Sequence, residues 1–390
     1  MKTCKLYTTM RLRILHTADL HLGASFNSFE EKSNDLKNET TNNFIKIVEY
    51  AINPENSIDV VIIAGDIFDT YNPEKNIVEL VKNEFNKIID KGILLLYIPG
   101  NHDSYGYQKS IYRKEKLPGN LILNDTFSYY KTFNIKKFTL HIYSGIFNPG
   151  KNKPRILKDF SLINENGFHL GILHGTYENG KFEGIERNLP FNLEEFKKSN
   201  LNYLALGHFH SHFEINIDNS HKAIYPGSII PRKINEYGEK SITLLEIDEN
   251  NNINVERLKL FKLYSKKLLI NLAKENINDI EELFNFILKN KNSNMILDLY
   301  IEGFSEFPIN EKELKNHIEE YFYYVKINID NLNYIESSTI SNFLNEETIR
   351  SLYFKKLLSK KAILSDYDKK IINRALNLGL QYFTGNRNEN

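Results

Sequence analysis

The apolar runs of this chain stop, one after another, on titratable residues. Leu12 to Leu15 reads as a strand and gives way at once to Thr17-Ala18-Asp19-Leu20-His21. Leu36 to Ile52 carries Phe44, Ile47, Val48 and Ala51 at helical spacing, and Ile58 to Ala64 is a continuous run suited to a strand buried on both faces. That run ends in Gly65-Asp66-Ile67-Phe68-Asp69. A second helical pattern follows (Ile77, Leu80, Val81, Phe85, Ile88), with Pro73 near its start, where proline is tolerated. Ile93 to Ile98 then predicts a short buried strand that Pro99-Gly100 breaks, and Asn101, His102 and Asp103 come directly after the break. The order is β-α-β-α-β, and the carboxyl edge of such a sheet is where α/β folds keep their chemistry.

The next stretch has strands with few helices between them: 138–146, 168–173, 203–206, 213–217, 222–225, 241–247 and 253–261. They predict a second, more antiparallel sheet packed on the first. Two of them end on histidines, in Leu173-His174-Gly175 and Leu206-Gly207-His208-Phe209-His210. Beyond Leu260 the style changes. Predicted strands at 267–272, 295–301 and 323–329 alternate with helices at 280–288 and 311–321, without clustered metal-type residues. From Ser338 onward the pattern is helical and dense in apolar positions, which invites a partner or packing back on the preceding domain. The expected boundaries are therefore 10–262, 263–335 and 336–390.

Composition narrows the class. Of 390 residues, 41% are hydrophobic and 26% charged, as in an ordinary soluble globular protein. Fifty basic residues balance fifty acidic ones, so binding to nucleic acid must rest on local patches and not on a global field. The lone Cys4 excludes an intramolecular disulfide and a thiolate metal cage. No apolar run reaches the ~18 residues of a membrane span. Residues 1–13 lack the apolar core of a secretory signal, so a cytoplasmic location is expected. Met10 directly precedes the first strand and could itself be a start, with the first nine residues appended.

Five strand ends thus supply Asp19, His21, Asp66, Asn101, His102, His174, His208 and His210. Oxygen and imidazole donors without sulfur suit a hard or borderline dication such as Mn2+, Fe2+ or Zn2+. Eight such groups are too many for one ion and fit two ions sharing a carboxylate, with Asp66 as the natural bridge. Two ions ~3.5–4 Å apart can clamp the attacking and leaving oxygens of a phosphoester. A single histidine at a strand end is more often a hydrogen-bonded structural residue. That is the reading for His16, His141 and His169, while His212, His221 and His317 read as surface residues. It is the succession of five such ends that carries the metal-site reading.

Asp19-Leu20-His21, Gly65 to Asp69, Gly100 to Asp103, His174 and Gly207 to His210 resemble the signature of calcineurin-like metallophosphoesterases. More narrowly, Ile14 to Gly23, Ala64 to Thr70, Tyr225 to Ser228 and Gly238-Glu239-Lys240 resemble the SbcD-type nuclease subunits, including their YhaO-like branch. The resemblance implies a two-sheet α-β-β-α sandwich followed by a small α/β capping domain and C-terminal helices. It implies one ion on Asp19, His21, Asp66 and His210, and a second on Asp66, Asn101, His174 and His208. His102 would act on the leaving oxygen or steady the phosphate, and Asp103 would orient His102. Archaeal and eukaryotic counterparts have a histidine where this chain, like bacterial members, has Asp69, whose role is left open between a site function and a structural hydrogen bond. Also implied are Mn2+, exonuclease and single-strand endonuclease activity on DNA ends, a homodimer, and an SbcC-like (SMC-type) ATPase on the C-terminal helices.

Two basic stretches could hold DNA phosphates: Lys109, Arg113, Lys114 and Lys116 with interleaved tyrosines, and Lys151, Lys153, Arg155 and Lys158. Solvated loops explain them equally well. Two other functions compete: a metallophosphatase or cyclic-nucleotide phosphodiesterase with a small substrate, and a DNA-end-binding scaffold with an idle site. The ~130 residues after the core favour the nuclease, since a small-molecule enzyme has no evident need of them.

Overall fold

The computed structural model describes residues 11–150, 155–178, 188–272, 274–305, 307–333 and 342–361, together with 371, 372, 375, 376, 379 and 383. The chain divides into two compact units, Met1–Lys262 and Leu263–Asn390.

In the first unit, β1 (Leu12–Thr17), β2 (Val60–Ala64), β3 (Leu94–Ile98) and β4 (Asn120–Leu121) pair in parallel in that order. A second sheet has the order β5 (Ser128–Ile135), β6 (Phe138–Gly145), β7 (Phe168–His174), β8 (Tyr203–Gly207), β10 (Lys222–Tyr225) and β9 (Phe213–Asn216). After the two-residue β11 (Gly238–Glu239), β12 (Ile242–Ile247) and β13 (Ile253–Leu258) return to the first sheet, antiparallel beside β1.

Alternation along each strand sets the layers. Val61 and Ile63 of β2 and Leu95 and Tyr97 of β3 pack on α1 (Ser33–Ile52) and α2 (Lys75–Asp90) through Phe44, Ile47, Val81 and Phe85. Their neighbours Val60, Ile62, Leu96 and Ile98 meet Leu140, Ile142, Leu170 and Ile172 of the second sheet. The outer face of that sheet, with Tyr143, Leu173, Leu204 and Leu206, is covered by Phe191 and by Phe196 of α4 (Leu193–Ser199). A capping box closes the start of α4, where Asn192 Oδ1 accepts from Glu195 N at 2.9 Å and Glu195 returns the bond to Asn192 N. The result is the α-β-β-α sandwich.

Two expectations are corrected here. The second sheet is parallel through β6, β7, β8 and β10, with antiparallel pairs only at its edges. Moreover, 242–247 and 253–258 belong to the first sheet. The physical signal was in the burial demand: β7 and β8 are apolar along nearly their whole length and buried throughout, as strands of a covered parallel sheet must be. The edge strand β5, half-exposed and rich in tyrosine and polar residues, escaped the apolar pattern altogether. Parallel alignment matters for function, because it brings the ends of β7 and β8 to one edge.

In the second unit, β14 (Tyr264–Asn271), β15 (Asn292–Phe304) and β16 (Phe322–Asn328) pair in parallel, with β17 (Leu332–Asn333) against the end of β15. Leu283 and Ile287 of α5 (Ile280–Leu288) and Leu314 and Ile318 of α6 (Glu311–Ile318) pack on Leu297, Leu299 and Val325. Asp279 and Asn310 cap the two helices, accepting from Glu282 N at 2.8 Å and Lys312 N at 3.0 Å. Of the predicted C-terminal helices, Ile349–Lys361 is described, and much of the remainder of 336–390 lies outside the described residues. Among the described residues no helix is long and apolar enough to cross a membrane.

Candidate metal centre

Beyond the strands, the backbone ladder between the β1 and β2 ends continues as loop. Asp19 N donates to Gly65 O at 3.2 Å, His21 N to Asp66 O at 3.0 Å and Leu22 N to Ile67 O at 2.9 Å. Four donor residues adopt positive φ in this geometry: Asp19 (52°), His21 (45°), Asp66 (49°) and His208 (107°). Non-glycine residues hold such conformations only where the surroundings enforce them, and they gather at functional sites. Gly100 makes the approach of β3 possible, since a Cβ there would lie 2.1 Å from Asp66 Oδ1.

The side chains converge. Asp66 Oδ2 lies 3.5 Å from His21 Nε2 and 3.3 Å from His174 Nε2, so this one carboxylate stands between two groups of donors. On one side His21 Nε2 and His210 Nε2 are 3.2 Å apart, and Asp19, His21 and His210 offer donor atoms within 4.8 Å of one another. On the other side Asn101 Oδ1 lies 3.0 Å from His174 Nε2 and 3.2 Å from His208 Nδ1. Both oxygens of Asp19 accept from His208 N at 3.1 Å.

The far nitrogens of three of these rings are anchored. His21 Nδ1 lies 3.1 Å from Asp69 Oδ1, His210 Nδ1 lies 2.8 Å from Glu236 Oε1, and His174 Nδ1 lies 2.9 Å from Ala64 O. A carboxylate or carbonyl behind an imidazole fixes the tautomer that presents the other nitrogen to an ion. Burial pushes His21 down to about 3, leaving it neutral. Burial alone would raise Asp66, but the His174 and His21 rings outweigh it and hold this carboxyl well below the usual range. His174 is opposed by burial and lifted by Asp66 and Asp19 to about 9, a positive charge in the place a cation would occupy. Two fully buried carboxylates require such compensation. The donor set, oxygen and imidazole with anchored tautomers and no sulfur, therefore fits divalent ions.

His102 lies beside this cluster. Its backbone N–H donates to Asp66 Oδ1 at 2.9 Å, its ring meets His21 edge-on at 4.7 Å, and its side chain is 40% exposed. Its Nδ1 sits 3.2 Å from Asp69 O and 3.8 Å from Asp69 Oδ1. The expectation that Asp103 orients His102 is corrected. The Asp103 carboxylate is wholly buried and accepts from Gly100 N (2.7 Å), Phe68 N (3.1 Å) and Tyr112 OH (2.7 Å). It ties the β3 loop to the β2 loop, and burial together with nearby Asp66 pushes it up to about 6. Asp69, whose role the sequence left open, is the residue beside both His21 and His102.

Sequence reasoning missed Arg232 and Glu236 and gave Lys240 no role. Arg232 Nη2 donates to Asp69, and Arg232 Nη1 lies 3.2 Å from His21 Nε2. Glu236 Oε2 accepts from Arg232 N at 2.9 Å, and buried Lys240 donates to His210 O at 2.9 Å. Burial opposes the Glu236 charge, yet His210 and Lys240 hold its carboxyl down to about 2. The one available signal was a loop bearing charge at every fourth position, 232, 236 and 240, soon after Ser228.

Of the basic stretches, Arg113 stacks over Tyr105 at 4.0 Å, and Lys109 and Lys116 are exposed. Arg155 is bound to Glu195 and Glu178, which removes it as a free phosphate contact. Lys151 and Lys153 lie outside the described residues. His16 is buried 2.8 Å from Tyr203 OH, and His141 lies 2.7 Å from Thr132 Oγ1.

The family profile described as calcineurin-like phosphoesterase matches residues 12–212. The chain is 25% identical over 304 residues to the metallophosphoesterase YhaO of Bacillus subtilis (strain 168), covering 75% of this chain and 72% of YhaO. It is 27% identical over 304 residues to SbcD, the smaller component of the nuclease SbcCD, of Staphylococcus epidermidis, covering 73% and 77% of the two chains. To the DNA double-strand break repair protein Mre11 of Saccharolobus solfataricus it is 26% identical over 224 residues, covering 56% of this chain and 54% of Mre11. With the profile spanning more than half of its length and all five motif loops, the chain belongs to the calcineurin-like phosphoesterase family.

Proposed function

We propose that the protein is a two-metal phosphodiesterase acting on DNA ends, as exonuclease and single-strand endonuclease. The observation that carries this reading is the position of Asp66, one buried carboxylate standing between two sets of oxygen and imidazole donors. Asp19, His21, Asp66 and His210 would hold one ion, and Asp66, Asn101, His174 and His208 the other. When bound, such ions supply positive charge on both sides of a phosphoester and acidify water at neutral pH. Mn2+ is our choice of ion.

The protein's own residues do the rest. Asp69 O accepts a hydrogen bond from Nδ1–H of His102, so His102 Nε2 is the nitrogen that hands a proton to the leaving oxygen. The bond from His102 N to Asp66 Oδ1 fixes this imidazole at the edge of the ion site. Asp103 serves by holding the loop that carries Asn101 and His102.

DNA is favoured over a small ester by what surrounds the His102 loop. The rings of Tyr71 and Tyr107 lie 4.4 Å apart with planes 32° from parallel, and Tyr71 is 37% exposed. Ile111 N donates to Tyr71 O at 2.7 Å, which ties this pair to the loop carrying Arg113. Aromatic rings of this kind stack bases without reading sequence, each base contributing ~1–3 kcal/mol. Tyr71→Ala and Tyr107→Ala are therefore expected to slow Mn2+-dependent cleavage of end-labelled single-stranded DNA by about tenfold. Hydrolysis of bis(p-nitrophenyl) phosphate should be unchanged in the same preparations. Equal losses on both substrates would assign the tyrosines to the scaffold. Hydrolysis of cyclic nucleotides with no DNA cleavage by the wild type would return the protein to the small-substrate reading.

The relatives named as a nuclease component and as a break-repair protein support the further proposal that this chain works as a homodimer with an SMC-type ATPase. On the C-terminal helix Ile349–Lys361, Ile349 (81% exposed) and Leu352 (68%) lie on one face and offer apolar anchors for that partner.

A further inference from the structure

We propose that Arg232 is a direct ligand of the substrate phosphate and that Asp69 is its positioning residue. The proposal rests on the two-metal phosphoesterase reading and concerns the mouth of the same site. Arg232 reaches the site from a loop far along the chain, and its side chain is only 18% exposed. Three contacts define it. Nη2 donates to Asp69 Oδ1, Nη1 lies 3.2 Å from His21 Nε2, and the backbone N donates to Glu236 Oε2 at 2.9 Å. Its Nε is buried and has no hydrogen-bond partner among the described residues.

The contact with His21 cannot coexist with a filled site. His21 Nε2 is the nitrogen that faces His210 Nε2 at 3.2 Å and Asp66 Oδ2 at 3.5 Å, so it is the nitrogen an ion would take. An imidazole nitrogen has one lone pair, and an ion bound there leaves the Arg232 Nη1 proton without an acceptor. Asp69 keeps the guanidinium where it is, since the same carboxylate also holds His21 Nδ1. A loaded site then has a guanidinium with free Nη1 and Nε donors a few ångströms from divalent charge. Like charges so close call for an anion between them, and the planar fork of arginine matches the oxygens of a phosphate. A non-bridging phosphate oxygen satisfies both sides at once.

A plain counter-ion to Asp69 would not need this arrangement. It would leave neither a donor aimed at a metal-facing nitrogen nor a buried Nε without an acceptor. Lys240, the other cation of this loop, is already committed to His210 O and Glu236.

The test is the affinity of the full-length, Mn2+-loaded protein for inorganic phosphate, measured by titration calorimetry, with metal content measured on the same samples. Arg232→Met should keep its ions and bind phosphate about tenfold to a hundredfold more weakly, the loss expected for a charge-assisted bidentate contact. Arg232→Lys should recover only part of that affinity, because an ammonium cannot donate from two fixed positions. Asp69→Asn should fall between the wild type and Arg232→Met. Phosphate affinity equal to wild type in Arg232→Met, or loss of ions from it, overturns the proposal. If Arg232→Met does not fold, wild-type affinity in Arg232→Lys overturns it and weakened affinity supports it. A wild type that binds ions and phosphate but cleaves no phosphodiester sinks the functional reading, while the phosphate titration still decides the role of Arg232.

Discussion

Asp66→Asn is expected to remove catalysis while leaving the protein folded. The amide keeps the shape of the carboxylate and its acceptor oxygen for His102 N, now at 2.9 Å from Asp66 Oδ1. What it loses is the second oxygen and the charge. Oδ2 is the atom that stands 3.5 Å from His21 Nε2 and 3.3 Å from His174 Nε2, and an NH2 group in its place offers no lone pair to an ion. The charge matters as well, because Asp66 is the largest influence lifting His174 against burial. After dialysis against Mn2+, elemental analysis should find one ion or fewer per chain where the wild type holds two. Turnover of bis(p-nitrophenyl) phosphate should fall by roughly a thousandfold or more, the scale of removing a main source of transition-state charge stabilisation. Two retained ions with turnover within about tenfold of the wild type would mean that Asp66 does not bridge.

Gly207→Ala should act on the fold itself. Gly207 ends β8 where the two sheets meet, and a Cβ there would lie 1.9 Å from Ala64 O, 2.8 Å from His174 Nδ1 and 3.0 Å from the Cβ of Ala18. None of these is the end of a flexible side chain. Either β8 moves away from β2, or the Ala64 carbonyl turns and releases His174 Nδ1, which it holds at 2.9 Å. Overpacking of this kind costs about 1–3 kcal/mol, and contact with a main-chain oxygen puts this case at the upper end. The expected fall in Tm is about 5–10 °C. A calorimetric scan checks it, and a Tm within about 1 °C of wild type would show that the sheets can part at this point without loss.

These two positions show why much of the site is legible in the sequence. A buried parallel strand must be apolar, so the first polar residue after it marks its carboxyl end. Asp19, Asp66, Asn101, His174 and His208 all stand within three residues of such an end. What the strand pattern lacks is direction. It cannot say that β7 and β8 run parallel, nor that Ile242–Ile247 pairs with β1 and not with the second sheet. Sequence adjacency also misleads at His102 and Asp103. Consecutive side chains of the loop diverge, one to solvent and one into the core, and the neighbour His102 needs is Asp69, from the end of a different strand. Arg232 lies 211 residues from His21, in a loop with no apolar strand directly before it, and no local pattern announces such a residue.

The account turns on two ions sharing Asp66, and a crystal soaked in Mn2+ measures this directly. Anomalous scattering should give two peaks ~3.5–4 Å apart. One should lie among Asp19, His21, Asp66 and His210, and the other among Asp66, Asn101, His174 and His208. A single peak, or two peaks that do not share Asp66, would contradict it.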